Sequence, residues 1–143
     1  MTSALEVREL RTDAEIQAAF PLMRELRDRV ASDAFLAEVR RQQSEGYRLL
    51  AGFSGADLVC LAGVRRTHTM SRGEHLFVDD LVTTESARGQ GYGGAMLQWI
   101  ARDAVRAGLS RVYLDSRFTA KGFYEGLGFT FLTSIPCWRD SRE

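Results

Sequence analysis

Apolar positions along this chain follow two spacings, and the spacing changes wherever glycine, proline or a run of polar residues interrupts it. Leu5, Val7 and Leu10 suggest a short first strand. Thr12 with Glu15 is a capping-box signal for a helix start. Ile16, Ala19, Phe20, Met23, Leu26 and Val30 then recur three and four residues apart, the helical period. Pro21 lies inside that pattern and predicts a kink or a fresh helical start. Ser32 and Asp33 can cap a second helix whose apolar side is Phe35, Leu36 and Val39, and Gly46 ends it. Residues 47–53 and 57–65 read as two strands joined by a tight turn at Ser54-Gly55, followed by a polar loop over 66–73 and a long strand over 75–84.

The second half begins with a glycine-rich stretch over 88–94 that runs into a helix over 91–107. In that helix Gln98, Arg102 and Arg106 form a polar stripe, while Met96, Trp99, Ile100 and Ala104 lie towards the other side. Gly108 terminates it. A short strand over 111–115, a short helix over 119–127 and a last strand over 129–135 follow. The order β-α-α-β-β-β-α-β-α-β predicts an α/β (α+β) fold: a mixed, mostly antiparallel sheet flanked by helices on both faces. Its strand-loop-helix-strand unit is a crossover, so those two strands are expected to be parallel neighbours.

Composition adds mainly exclusions. The 143 residues carry no internal repeat and no Pro/Gly/Ser linker, so a single domain over 1–143 is expected. With 45% hydrophobic and 27% charged residues, the chain reads as an ordinary soluble globular protein. Net charge is zero, which argues against bulk electrostatic binding to nucleic acid or to an anionic membrane. No apolar stretch approaches the roughly 20 residues of a membrane helix, and Met1 to Leu10 lacks the basic-then-apolar pattern of a signal peptide. Cys60, in an apolar run, and Cys137, beside Trp138, read as reduced thiols in a cytoplasmic protein.

The candidate chemistry lies in Arg88-Gly89-Gln90-Gly91-Tyr92-Gly93-Gly94, between a strand and a helix. The first turn of a helix has N–H groups without intrahelical partners and a positive dipole end. Glycines let that backbone approach a ligand, and successive N–H groups can then surround a phosphate oxygen. Arg88 adds a fixed positive charge able to pair with phosphate. A glycine-rich turn alone is equally a tight turn with close helix packing. No Gly-Lys-Ser/Thr ending is present, which sets aside a nucleotide-triphosphate loop. Gly89, Gly91 and Gly94 satisfy G-x-G-x-x-G, but the next strand ends in Asp115, about five residues beyond the acidic position of a dinucleotide-binding unit.

Arg88, Gly91 and Gly93 follow the strand Val78-Asp79-Asp80-Leu81-Val82-Thr83 and precede the helix Gly94-Ala95-Met96-Leu97. Some thirty residues on come Ala120, Phe123, Tyr124, Gly128 and Phe129. Through these two motifs, Arg/Gln-x-x-Gly-x-Gly/Ala and Ala-x-x-Phe-Tyr-x-x-x-Gly-Phe, the chain resembles the GNAT superfamily of N-acetyltransferases over residues 74–131. One position departs from the pattern: Arg117 stands where many members carry asparagine, and the neighbouring Ser116 is a candidate substitute contact to the cofactor arm.

The resemblance implies acetyl-CoA as the donor co-substrate, no metal, and a primary amine of a small molecule or peptide as the acceptor. A non-catalytic acyl-CoA-binding or regulatory module on the same fold is the alternative. The implied cofactor contacts are Leu81, Val82, Thr83, Arg88, Gly89, Gln90, Gly91, Tyr92, Gly93, Gly94, Ser116, Ala120 and Phe123. The pyrophosphate would rest on N–H groups of 88–93, and the pantetheine arm would pair like an added strand near Leu81 and Thr83. A bulge around 80–82 is expected to aim an N–H at the thioester oxygen.

Tyr124 matches the family's general acid; its bland reading is packing beside Phe123. Asp79 and Asp80 point to opposite faces of a regular strand, so one of them is expected to face the acceptor, and Asp80 is the preferred base over Glu74 and Glu85. His68 and His75 read as surface residues. The acceptor pocket is expected to draw on residues 12–45, the 66–73 loop and the last strand with Cys137 and Trp138. Many members of the family dimerise, so a homodimer is an expectation by resemblance alone.

Overall fold

The computed structural model describes residues 4–142. The first three residues of the Met1–Leu10 stretch, read above as no signal peptide, lie outside them. The N-terminal half begins with β1 (Glu6–Glu9) and the short helices α1 (Asp13–Ala18) and α2 (Phe20–Leu26). The Thr12–Glu15 capping box forms as its residues predict, each side chain bonding the other's backbone N–H. Pro21 marks a fresh start and not a kink: it occupies the first turn of α2, where its missing N–H would have no helical partner. α3 (Ser32–Gln43) follows, but Ser32 and Asp33 do not cap it. Its N-cap is Ala31, and Asp33 sits in the first turn, where its charge complements the dipole.

Three antiparallel strands come next: β2 (Tyr47–Ser54), β3 (Asp57–Thr69) and β4 (Gly73–Thr83). The expected polar loop over 66–73 is mostly strand. β3 runs to Thr69, His68 pairs with Glu74 and Thr67 with His75, and Arg66 bonds Glu74 across the ladder at 2.7 Å. Cross-strand pairs of polar residues satisfy a ladder as well as apolar ones do, so polarity alone misplaced the turn. His75 is a second correction: it is 2% exposed, edge-on to the Tyr113 ring, with Nδ1 2.9 Å from the Gly73 carbonyl.

A 3-10 turn (Glu85–Ala87) and the glycine loop lead into α4 (Tyr92–Arg106), then β5 (Val112–Leu114) and α5 (Lys121–Gly126). The five strands lie in the order β1-β2-β3-β4-β5, and only β4 and β5 are parallel, as the crossover requires. Alternation along the strands builds two cores. Leu50, Cys60, Ala62, Val64, Leu76 and Val78 pack beneath Met96 and Ile100 of α4. Leu49, Ala51 and Leu61 pack against Ile16, Phe20, Met23, Phe35 and Val39 of α1–α3.

The expected last strand over 129–135 does not form. A strand needs a neighbour to pair with, and β5 offers an edge of three residues. Phe129 packs on Tyr124, while Leu132 and Ile135 are exposed. Among the described residues no helix is long and apolar enough to cross a membrane. Both cysteines are free, Cys60 buried and Cys137 exposed.

Candidate active site

The site is organised by an irregularity in β4. Val78 pairs with Val64 and Asp80 with Gly63, so Asp79 is an extra residue, a bulge one position before the expected 80–82. The bulge inverts the side-chain phase of the strand. Leu76 and Val78 face the α4 core, whereas beyond it Leu81 packs towards that core and Val82 turns to the α1–α3 core. This overturns the expectation that Asp79 and Asp80 point to opposite faces: both line one cavity of about 700 Å³ on the α2–α3 side.

Within that cavity the two carboxylates have different partners. Asp79 takes a two-pronged pair from Arg65, with Nη2 donating to Oδ1 at 2.8 Å. Asp80 accepts Arg27 Nε on Oδ1 at 2.9 Å and the Tyr47 hydroxyl on Oδ2 at 2.8 Å. Burial, then the nearby Asp80 charge, push the Tyr47 phenol far above the ordinary tyrosine range, so it is a permanent donor. The Tyr47 ring lies over Gly63, where a Cβ would overlap its Oη, Cζ and Cε1 atoms. Met23, Leu26, Val30, Phe35 and Val39 supply apolar wall, and Asp28, Glu38 and Glu45 further carboxylates. Neither the 66–73 segment nor Cys137 and Trp138 line it, contrary to expectation.

A second cleft, of about 430 Å³, lies where β4 and β5 part. β5 pairs with β4 only as far as Val78↔Leu114, so beyond that point the β4 main chain has β3 on one side and, among the described residues, no strand on the other. Leu81, Leu114, Asp115, Arg117, Ala120 and Tyr124 line this cleft, and Leu26, Arg27 and Asp79 line both cavities. Tyr124 is half-buried, edge-on to Phe123 and Phe129. Burial pushes its phenol above the ordinary value, with the Arg117 charge opposing. Ser116 turns its hydroxyl onto the Arg117 carbonyl at 2.8 Å, and it is Arg117 that faces the cleft.

The glycine loop adjoins this open edge through Thr83, whose hydroxyl lies near Gly93. Gly89 and Gly91 take left-handed φ values of 81° and 86°, which side chains resist. No atom stands within 4 Å of a Cβ built on either, so these glycines are needed for their conformation and leave their outer side open. Gly91 is the N-cap of α4; no side chain caps that end and its first turn holds no acidic residue. The N–H groups of Tyr92, Gly93 and Gly94 are therefore the unpaired donors of a helix start. Gly93 and Gly94 serve packing as well, since their missing Cβ atoms let Phe123 and Leu127 approach α4.

Three expected contacts contribute main chain only or are already engaged. The Tyr92 side chain is buried with its hydroxyl 3.0 Å from Ser54 Oγ, and Val82 is buried in the α1–α3 core. Arg88 Nε donates to the Thr83 carbonyl at 3.1 Å, and its guanidinium lies 3.6 Å from Glu25. Gln90 is exposed. Four residues of the site carry no motif: Glu25, Arg27, Tyr47 and Arg65 come from parts of the chain where only apolar periodicity was legible.

A family model described as the acetyltransferase (GNAT) family matches residues 7–129. The chain is 33% identical over 131 residues to the uncharacterized N-acetyltransferase YhdJ of Bacillus subtilis (strain 168), with 88% of this chain and 92% of that protein covered. Among solved structures, it superposes on an aminoglycoside N-acetyltransferase, AAC(6')-Iy in complex with CoA, with a TM-score of 0.83 at 15% identity, covering 99% of this chain and 97% of that one. A ribosomal-protein-alanine N-acetyltransferase from Brucella melitensis biovar Abortus 2308 gives 0.81 at 17% identity, covering 96% and 100%.

Proposed function

Because the chain belongs to the acetyltransferase (GNAT) family, we propose that it moves an acetyl group from acetyl-CoA to a primary amine of a small molecule or peptide by direct attack. The observation that carries this reading is one continuous surface: the uncapped α4 N-terminus adjoins the unpaired edge of β4, and Tyr124 stands on the cleft beside that edge. The residues fit the donor. An open glycine cradle of N–H groups suits a pyrophosphate, and a strand edge with free main-chain groups suits an amide-bearing arm. Bound there, acetyl-CoA supplies a thioester, a carbon already activated towards an amine.

The chain's own residues supply the rest. The N–H groups of Tyr92, Gly93 and Gly94, with those of residues 89–91, bind the anion. The main chain near Leu81 and Thr83 aligns the arm, Ala120 lines the cleft beside it, and Phe123 packs over Gly93 at the loop end. Tyr124 holds a proton at neutral pH and gives it to the departing sulfur. Asp80 receives the proton the amine must lose, directly or through water. Five carboxylates against three arginines on one cavity favour a cationic acceptor, which agrees in kind with the amine acceptors in the names of the two structural relatives.

The test is thiol release from acetyl-CoA against a panel of primary amines, with wild type and Tyr124→Phe side by side. Turnover on at least one amine is expected. In the variant kcat should fall about 100-fold or more while acetyl-CoA affinity is retained. CoA binding without turnover on any amine would instead mean a non-catalytic binding module. Full activity in Tyr124→Phe would remove that residue from the acid role.

A further inference from the structure

Arg27 is the C-cap of α2, and its side chain leaves the helix end to reach the bulge of β4. Nε donates to Asp80 Oδ1 at 2.9 Å and Nη2 donates to the Asp79 carbonyl at 2.8 Å. A carboxylate oxygen and a carbonyl oxygen around one cation form a set of acceptors that a primary ammonium, with its three N–H donors, also satisfies. The place is shared as well: Arg27 lines both the α2–α3 cavity and the cleft of Tyr124. The amine of an acceptor must pass between those two spaces to meet a thioester.

The two ends of the Asp80 carboxylate are held unequally. Oδ2 is held by the buried Tyr47 hydroxyl, which the Gly63 notch keeps in place. Oδ1 is held by a guanidinium whose side chain is 44% exposed. Asp80 is only 13% exposed, so the guanidinium can turn out to water, but the carboxylate it leaves behind needs another cation in its place. Tyr47 keeps Asp80 fixed when that happens.

We propose that Arg27 is a specificity-determining residue: its guanidinium occupies the place of the acceptor's ammonium, and a cationic acceptor binds by displacing it. This rests on the reading of the α2–α3 cavity as the acceptor side. It follows that Arg27 masks the site, and that wild type accepts only amines able to outcompete it. If the masked arrangement holds about nine molecules in ten, apparent affinity for a simple ammonium is lowered about tenfold.

The experiment measures binding of n-butylammonium by titration calorimetry to wild type, Arg27→Gln and Arg27→Lys, with unfolding midpoints confirming that each variant folds. The Arg27→Gln protein should bind about 5–10-fold tighter, and Arg27→Lys, which keeps a cation, should stay near wild type. In turnover assays the KM for the amine should fall by the same factor in Arg27→Gln. Unchanged or weaker butylammonium binding in Arg27→Gln would overturn the proposal. The two readings separate cleanly: tighter binding without turnover on any amine leaves the masking role standing and sinks the transferase reading. Turnover with binding unmoved by Arg27→Gln sinks the masking role alone.

Discussion

Gly63→Ala is the smallest change that should disturb this site, because it adds one methyl group where three atoms of Tyr47 already lie. Carbon atoms rest about 3.5–4.0 Å apart, so the Tyr47 ring must retreat or β3 must deform. Retreat is obstructed: the ring is 4% exposed, and its hydroxyl is tied to Asp80 at 2.8 Å. Overpacking of this kind costs about 1–3 kcal/mol. Losing a hydrogen bond to a charged partner costs about 1.5–3 kcal/mol more. Replacing glycine within a strand returns about 0.5–1 kcal/mol. The balance is a loss of roughly 2–5 kcal/mol, which in a chain of this size lowers the melting temperature by on the order of 10 °C. Calorimetry of wild type, Gly63→Ala, Tyr47→Ala and the double variant is the assay. The double variant should be more stable than the sum of the single losses predicts, by about 1 kcal/mol or more, because removing the ring removes the collision. A Gly63→Ala protein melting within about 2 °C of wild type, or strictly additive losses, would refute the reasoning.

Gly91→Glu puts a side chain at a φ of 86° and an anion at the uncapped start of α4. It should cost about 1–2 kcal/mol of strain and abolish the stabilisation by acetyl-CoA, which in wild type at 100 times Kd amounts to about 2.7 kcal/mol. An undiminished thermal shift would mean that the cofactor binds elsewhere. The fully buried Cys60 thiol is pushed up to about 11 by burial, against a weaker opposing bond from Thr83. In the unfolded chain a cysteine ionises near pH 8.5–9, so this contribution to stability is complete below about pH 9 and is lost as pH rises towards 11. The loss should reach about 2–3 kcal/mol. Urea unfolding from pH 8 to 11 should show a shallower decline in Cys60→Ala than in wild type, and parallel curves would exclude Cys60 as the cause.

The parts of this molecule that could be read in advance are those whose physics is local. The Thr12–Glu15 box, the amphipathic face of α4 and the left-handed glycines of the 88–94 loop each depend on residues within one turn of each other, and each stands where expected. The parallel β4–β5 neighbours followed from crossover geometry alone. What could not be read depends on pairing across the sheet. The bulge at Asp79 exists because of how β4 registers on Gly63 and Val64 of β3, and nothing in 78–83 marks which residue is extra. A one-residue error there reverses the side-chain faces, so alternation alone sent Asp79 and Asp80 apart when both turn to one cavity. The segment over 129–135 failed for the complementary reason, since its apolar residues suit a strand but its neighbour is only three residues long.

Half of the site lay outside any motif for a related physical reason. The half at residues 88–94 is a loop that must have a fixed backbone shape, and a fixed shape restricts sequence. The half around Asp79 and Asp80 is built by side chains that arrive from β2, β3 and the end of α2. Glu25 accepts the Thr84 hydroxyl at 2.8 Å and the Glu85 N–H at 3.0 Å, and it lies 3.6 Å from Arg88, at the approach to the glycine loop. Two residues on, Arg27 holds Asp80 and the Asp79 carbonyl. One turn of helix thus touches both the strand exit that leads to the anion cradle and the carboxylates of the facing cavity. Pro21 begins the new helix that ends at these two residues, where Arg27 reaches β4 and Glu25 reaches the segment just beyond it. The placement that matters was therefore decided by an interruption in the helical pattern, and the apolar period that made the helix legible carries no trace of it.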